Sequence, residues 1–193
     1  MIFSPTLEQH IVDVSTILQE LQKQRLYIKL RKCEMFCRSV SFLGHRISAD
    51  GLSMEQDKLQ AVLEWPTPKC VKDIQSFLGA ASYYRRFIKS FAQISVPLTN
   101  LLKKDAIWEW AHVQQQSFDS LKRAMTQAPV LMNPDYKREF IITSDASQHG
   151  IGAVLSQKDD DGNERPVAYF SRKLNDRESN WSTYEQECLA LVE

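Results

Sequence analysis

Three features of the sequence predict an α+β fold in two or three units. They are a long apolar stripe at helical spacing near the start, a chain of short helices through the middle, and three strands followed by a helix at the end. Leu7, Ile11, Val14, Ile17, Leu18 and Leu21 recur every three or four residues, so residues 6–26 form an amphipathic helix with one buried face. Candidate strands follow at 27–30, 33–36 and 40–47, ahead of the Asp50-Gly51 turn. Ser53 with Gln56 three residues on has the form of a capping box, and Leu59, Val62 and Leu63 carry a short helix stopped by Trp65-Pro66. Thr67-Pro68 opens the next helix with proline at its first position, and Val71, Ile74, Phe77 and Leu78 share its face. Gly79 either ends that helix or admits a neighbouring backbone. Two more short helices fall around 83–89 and 95–104, and a longer one at 111–127 runs through Val113, Phe118, Leu121 and Met125.

Past the Pro129 and Asn133-Pro134-Asp135 loop the pattern changes to strands at 139–144, 150–157 and 165–171. The last two are joined by the polar segment 158–163, which suits an antiparallel hairpin. A helix begins at about Thr183, since Ser182 and Glu185 repeat the capping box and Tyr184, Cys188, Leu191 and Val192 form the expected buried stripe. That helix reaches Glu193 without a stop signal, and its domain is expected to continue beyond it.

Composition narrows the function classes. Apolar runs are only a few residues long, far short of the roughly 20 needed to span a bilayer, and the first residues lack the pattern of a secretory signal. No membrane segment and an intracellular setting are therefore expected. Cys33, Cys37, Cys70 and Cys188 make no CxxC pair, which points to free thiols rather than disulfides or structural zinc. The net charge is zero, from 24 basic and 24 acidic residues, yet it is unevenly spread. Residues 53–104 carry net +4 and residues 140–193 carry net −5, which suggests units with different tasks.

Two carboxylates stand out. Asp145 ends an apolar strand in Thr143-Ser144-Asp145-Ala146-Ser147, and the glycines of Gly150-Ile151-Gly152 would leave it open to a ligand. A strand-ending aspartate in a turn fits the same pattern. Glu187 projects near the expected stripe of the last helix, where a carboxylate needs a partner or must reach solvent. Together the two could hold magnesium, which takes oxygen ligands and is bound through a few carboxylates plus substrate phosphates. They supply only part of the acidic set that such a site ordinarily needs.

The motifs then become recognisable as an ordered series. Phe42-Leu43-Gly44-His45, Trp65-Pro66-Thr67-Pro68, Ser76-Phe77-Leu78-Gly79, Tyr83-Tyr84-Arg85-Arg86-Phe87-Ile88 and Pro97-Leu98-Thr99-Asn100-Leu101-Leu102 resemble the polymerase of gypsy-type long-terminal-repeat retrotransposons. So do Ala128-Pro129-Val130-Leu131, the Asp145 motif, Gly150-Ile151-Gly152-Ala153-Val154-Leu155-Ser156-Gln157, Pro166-Val167-Ala168-Tyr169, Ser171-Arg172 and Tyr184-Glu185-Gln186-Glu187. The resemblance covers essentially the whole chain.

It implies that residues 1–52 are the end of a reverse transcriptase palm with a primer-grip-like hairpin, 53–104 a helical thumb, 105–138 a connection, and 139–193 an incomplete ribonuclease H-like domain. It implies catalytic and metal-ligand roles for Asp145 and Glu187, with Mg2+ as cofactor and Mn2+ as its substitute. Nucleic-acid contacts are implied for Phe42, Leu43, Gly44, His45, Lys69, Lys72, Tyr83, Tyr84, Arg85, Arg86 and Lys89. Packing and ordinary solvation explain the same residues without nucleic acid.

The implied partners are an RNA/DNA hybrid or primer-template duplex and the remainder of the Pol polyprotein. The implied setting is cytoplasm or retroelement particles, with the nucleus also open. The paired polymerase aspartates and the later ribonuclease H acidic residues are not in this sequence. By itself the chain is therefore expected neither to extend a primer nor to cleave a hybrid. The alternative is a catalytically dead nucleic-acid-binding relic or a domesticated protein.

Overall fold

The computed structural model describes residues 1–147 and 150–193, and its contacts divide into two units, Met1–Val40 and Ser41–Glu193.

The first unit is dominated by α1 (Leu7–Lys23), capped by Thr6, whose hydroxyl accepts the amide of Gln9 at 3.2 Å. The expected buried face is not realised. Of its stripe only Val14 is buried, while Leu7, Ile11, Ile17 and Leu18 stay exposed, because these 40 residues hold no apolar sheet for it to lie on. The strands expected at 27–30 and 33–36 are also absent. A 3-10 turn occupies Leu30–Lys32, and Phe36 takes a φ of +55°, which interrupts any extended run. Its ring meets His10 edge-on, with centroids 5.4 Å apart.

The segment 40–47, one strand by its local pattern and a hairpin by the resemblance, is two strands joined by a turn. β1 (Ser39–Phe42), β2 (His45–Ser48) and β3 (Gly51–Met54) form a three-stranded sheet in that order, with His45 opposite Met54 and Ser48 opposite Gly51. Gly51 has φ +133°, and an added Cβ would sit 2.0 Å from the Leu131 carbonyl. Only glycine allows that approach. It lets Leu52 and Leu131 exchange two amide-to-carbonyl hydrogen bonds of 2.8 Å, an isolated bridge joining β3 to a loop 79 positions later. Ser53 lies inside β3 rather than capping a helix, so the capping box expected there is displaced: α2 (Gln56–Leu63) starts after Glu55 with no side-chain cap.

α3 (Val71–Tyr83) starts after Cys70, three residues past the proline expected to open it, and it runs through Gly79. A 3-10 turn at Arg85–Phe87 leads to α4 (Phe91–Asn100), and α5 spans His112–Thr126. The apolar faces of α2 to α5 converge on one core in which Ile74, Phe77, Ala81, Leu98, Phe118 and Leu121 are essentially inaccessible. Each large side chain buried there contributes about 1.5–3 kcal/mol. Phe77 and Phe118 lie at its centre, with ring centroids 4.6 Å apart.

β4 (Ile141–Ser147), β5 (Gly150–Lys158) and β6 (Glu164–Lys173) form a second three-stranded antiparallel sheet, near the three stretches expected as strands. α6 (Thr183–Val192) packs on β4 and β5 and carries the expected capping box, the Ser182 hydroxyl accepting the Glu185 amide at 3.3 Å. Its buried face differs from the one expected. Tyr184, Cys188, Leu191 and Val192 are exposed; Gln186 and Ala190 are buried, with Leu189 half-buried. The helix sits on a small patch of Ile151, Leu174 and Ala146, where the short Ala190 and the flank of Leu189 fit. All four cysteines are free thiols. Among the described residues no helix is long and apolar enough to cross a membrane.

Candidate functional site

The first candidate site is a small open cleft of about 160 Å³ between β4 and α6, lined by Ser144, Asp145, Glu187, Ala190 and Leu191. β4 holds Asp145 opposite Gly152 of β5, so no side chain stands across from it. α6 delivers Glu187 to the same cleft from above the sheet. The two residues singled out as ligands, 42 positions apart, are thus brought together. Among the described residues neither carboxylate has a hydrogen-bond or ion-pair partner, and both are exposed. Two unpaired hard oxygen donors in one cleft fit a divalent cation of the magnesium type. No cluster of three metal-ligating side chains occurs among the described residues.

Glu187 reaches the cleft for a reason other than the expected stripe. With Gln186 and Ala190 facing inward, position 187 lies at the margin of the buried face, on the side of β4. No apolar stripe forces it to find a partner.

The second candidate site is the turn between β1 and β2. Leu43 and Gly44 have φ of +50° and +74°, two positive values in a row, as a two-residue hairpin requires. Phe42 and Leu43 are exposed at its tip. Behind the turn, Tyr83 donates its hydroxyl to the Leu43 carbonyl and Tyr84 donates to the Gly44 carbonyl at 3.1 Å. A Cβ on Gly44 would come within 2.8 Å of the Tyr84 hydroxyl. The His45 ring stacks on Tyr83 at 5.2 Å and meets Tyr84 edge-on at 5.5 Å, with Phe87 at 5.6 Å. Burial, and then the positive charge of Arg86, hold the His45 imidazole below its ordinary pKa. Tyr84 is pushed up by burial.

The paired tyrosines therefore clamp the hairpin to the end of α3. Tyr84 is 6% exposed and has no free face for stacking, whereas Tyr83 is half exposed.

The basic residues divide by what they engage. Lys72, Arg85, Arg86 and Lys89 are all exposed, and Lys69 borders an open groove with Trp65, Pro66, Thr67, Asp73 and Ser76. Its backbone amide donates to the Asp73 carboxylate at 2.9 Å, the chief reason that carboxyl is held low. Arg85 is engaged elsewhere: its guanidinium donates to the Ser171 carbonyl in β6 and lies 5.7 Å from the Phe91 ring centroid.

Two features are not carried by any single motif of the sequence. Gln75, Gly79 and Tyr83 follow one another at i, i+4 and i+8 on the exposed face of α3, and an added Cβ at Gly79 would meet nothing within 4 Å. Gly79 and Tyr83 stand out singly in the sequence, and the four-residue spacing is the signal that places them on one face with Gln75. Gln157 is fully buried, exchanging hydrogen bonds with Asp135 (2.9 Å to its amide, 2.8 Å to its carbonyl) and so tying β5 to the preceding loop. No local pattern marks it.

A three-stranded antiparallel sheet carrying Asp145, crossed by a helix that brings Glu187 over it, defines an RNase H-like domain. Residues 110–193 match the RNase H-like domain found in reverse transcriptase. Over its whole length the chain is similar to retrotransposon polyproteins, which supports a segment of a long-terminal-repeat retrotransposon Pol polyprotein. It is 38% identical over 192 residues to the Transposon Tf2-3 and Tf2-4 polyproteins of Schizosaccharomyces pombe (strain 972 / ATCC 24843), a match covering 100% of this chain and 14% of each relative. It thus spans about one seventh of their length. Among solved structures it is similar to the foamy viral protease-reverse transcriptase in complex with dsDNA. There the TM-score is 0.84 at 21% identity, over 98% of this chain and 40% of that one. For the same protein in complex with RNA/DNA hybrid, the TM-score is 0.82 at 20% identity, over 98% and 26%.

Proposed function

We propose that the chain is a duplex-binding portion of a reverse transcriptase with ribonuclease H, acting on an RNA/DNA hybrid through magnesium held by Asp145 and Glu187. In this reading residues 1–52 end the palm and residues 53–104 are a thumb-like segment. Residues 105–138 form the connection and residues 139–193 the RNase H-like domain.

The observation that carries it is the convergence of Asp145 and Glu187, unpaired, on one cleft. Magnesium bound there would neutralise phosphate charge and lower the pKa of a water for phosphodiester hydrolysis. The chain's own residues would bring the duplex to it. The exposed hairpin tip at Phe42 and Leu43, held by Tyr83 and Tyr84, and the bare face of α3 at Gly79 present surface that a sugar-phosphate backbone can approach closely. Lys69, Lys72, Arg86 and Lys89 supply charge without reading bases. The foamy viral structures in complex with dsDNA and RNA/DNA hybrid support the same class of ligand.

The test is a titration of labelled RNA/DNA hybrid against the chain, with and without Mg2+. Mg2+ should tighten binding to the wild-type chain and leave Asp145→Asn and Glu187→Gln unaffected. Binding indifferent both to the metal and to these substitutions removes the reading.

A further inference from the structure

We propose that Arg172 is a positioning residue for Glu187, setting the metal affinity of the cleft through a polar lock on the turn ahead of α6; this rests on the reading of Asp145 and Glu187 as metal ligands. α6 has little else to orient it. Its apolar anchor is Ala190 and half-buried Leu189 against Ile151 and Leu174, too small a contact to fix the angle of a ten-residue helix.

Arg172 comes from β6, paired in register with Ile151 of β5, on which α6 lies. Its guanidinium engages Glu178 through two parallel bonds of 2.9 and 3.2 Å, the fork geometry that fixes direction as well as distance. Glu178 is well shielded, with its side chain only 12% exposed. The same carboxylate accepts the Asn175 amide at 2.8 Å and so organises the turn ahead of α6. The backbone carbonyl of Glu178 in turn accepts Nε2 of buried Gln186 at 3.0 Å. Gln186 immediately precedes Glu187, so this chain of bonds runs from the sheet to the residue beside the ligand. Nη2 of Arg172 also reaches Glu193 at 3.1 Å. One side chain thus ties the turn ahead of α6 to the sheet on which α6 lies. Support of this kind, one step behind the ligand, ordinarily governs affinity by about 10–100-fold.

The experiment is a Mn2+ titration of the full 193-residue chain followed by electron paramagnetic resonance, with hydrogen exchange of the α6 amides as a second readout. The variants are Asp145→Asn, Arg172→Lys, Glu178→Gln and Leu174→Ala. Arg172→Lys keeps the charge and loses the fork. Leu174→Ala weakens the small core without touching the lock, and its melting temperature should fall while its Mn2+ affinity, measured where it is folded, stays at the wild-type value. Arg172→Lys and Glu178→Gln should each bind Mn2+ about tenfold more weakly and exchange faster at the start of α6.

Wild-type affinity in both overturns the positioning role and leaves the metal reading standing. Equal weakening in Leu174→Ala overturns it too, since any loss of stability would then suffice. If Arg172→Lys does not fold, Glu178→Gln decides the matter. A wild-type chain that binds no Mn2+, or binding unchanged in Asp145→Asn, sinks the metal reading and this proposal with it.

Discussion

Arg85 and Ser171, 86 positions apart, are joined by the arginine guanidinium donating to the serine carbonyl, and the serine hydroxyl also accepts the amide of Ala92, near the arginine in sequence, at 3.0 Å. Ala92 sits in the first turn of α4, whose N-cap, Ser90, is left-handed and makes no side-chain capping bond. A strand of the second sheet therefore caps a helix of the main core. This couples the helical segment to the RNase H-like sheet at a buried point.

Ser171→Ala should accordingly cost about 1–3 kcal/mol, the penalty for leaving a buried amide without an acceptor. Ser171 is 2% exposed, so water cannot readily replace the hydroxyl. Urea denaturation of the chain measures the loss. A change within a few tenths of a kcal/mol would show that the cap is not part of the stability of the fold.

His45 predicts a pH dependence with a definite sign. Its folded-state pKa is lowered by burial and by Arg86, from an unfolded value of 6.5. The unfolded chain therefore binds the proton first as pH falls. The stability from neutral His45 is fully present above pH 6.5 and is lost as pH falls through the lower folded value. Melting temperatures of wild type and His45→Gln between pH 8 and pH 5 should converge toward the acid end. Parallel curves would remove His45 as the titrating group.

Gly79 separates a packing role from a binding one. Gly79→Ala meets no neighbour and gains helix propensity, so the folded chain should become more stable by up to about 1 kcal/mol. If a duplex backbone approaches α3 here, the same methyl must weaken hybrid binding. Thermal melting and hybrid titration on one preparation give both numbers. Greater stability with unchanged affinity places the duplex elsewhere.

What could be read from the sequence followed local period. The strands of the second sheet, the core face of α5 apart from exposed Val113, and the Ser182 cap of α6 declare themselves by apolar runs between turn residues, by helical spacing and by a short motif. Asp145 and Glu187 stand out in the sequence, and they line one cleft, but the stripe expected to place Glu187 there is not the face that α6 buries. Decisions made by distant partners were not legible. Ser53 has the form of a cap, but pairing with Arg46 draws it into β3. The apolar residues of α6 look like a buried stripe, yet the small patch beneath the helix selects Ala190 instead. Arg85 and Arg86 are identical to a sequence reader; only Ser171, far along the chain, distinguishes them.

That distinction yields the last prediction. Arg86 is exposed and free to meet a phosphate, whereas Arg85 has its guanidinium committed to Ser171 and lies beside the Phe91 ring. Each phosphate contact releases condensed counterions, and losing one lowers the steepness of log affinity against log salt by about 1. Arg86→Gln should weaken hybrid binding and flatten the salt dependence by roughly that amount, with stability unchanged because its side chain holds nothing in place. Arg85→Gln should do the reverse, lowering stability through the lost contact with β6 while leaving the salt slope near the wild-type value. Removing both, as the paired basic motif alone would suggest, mixes the two effects and cannot assign either. Binding isotherms at four or five salt concentrations, with denaturation curves for both single variants, resolve them. Equal flattening by the two substitutions would mean that Arg85 leaves Ser171 when nucleic acid binds, and the docking contact would then be a resting-state feature rather than a fixed joint.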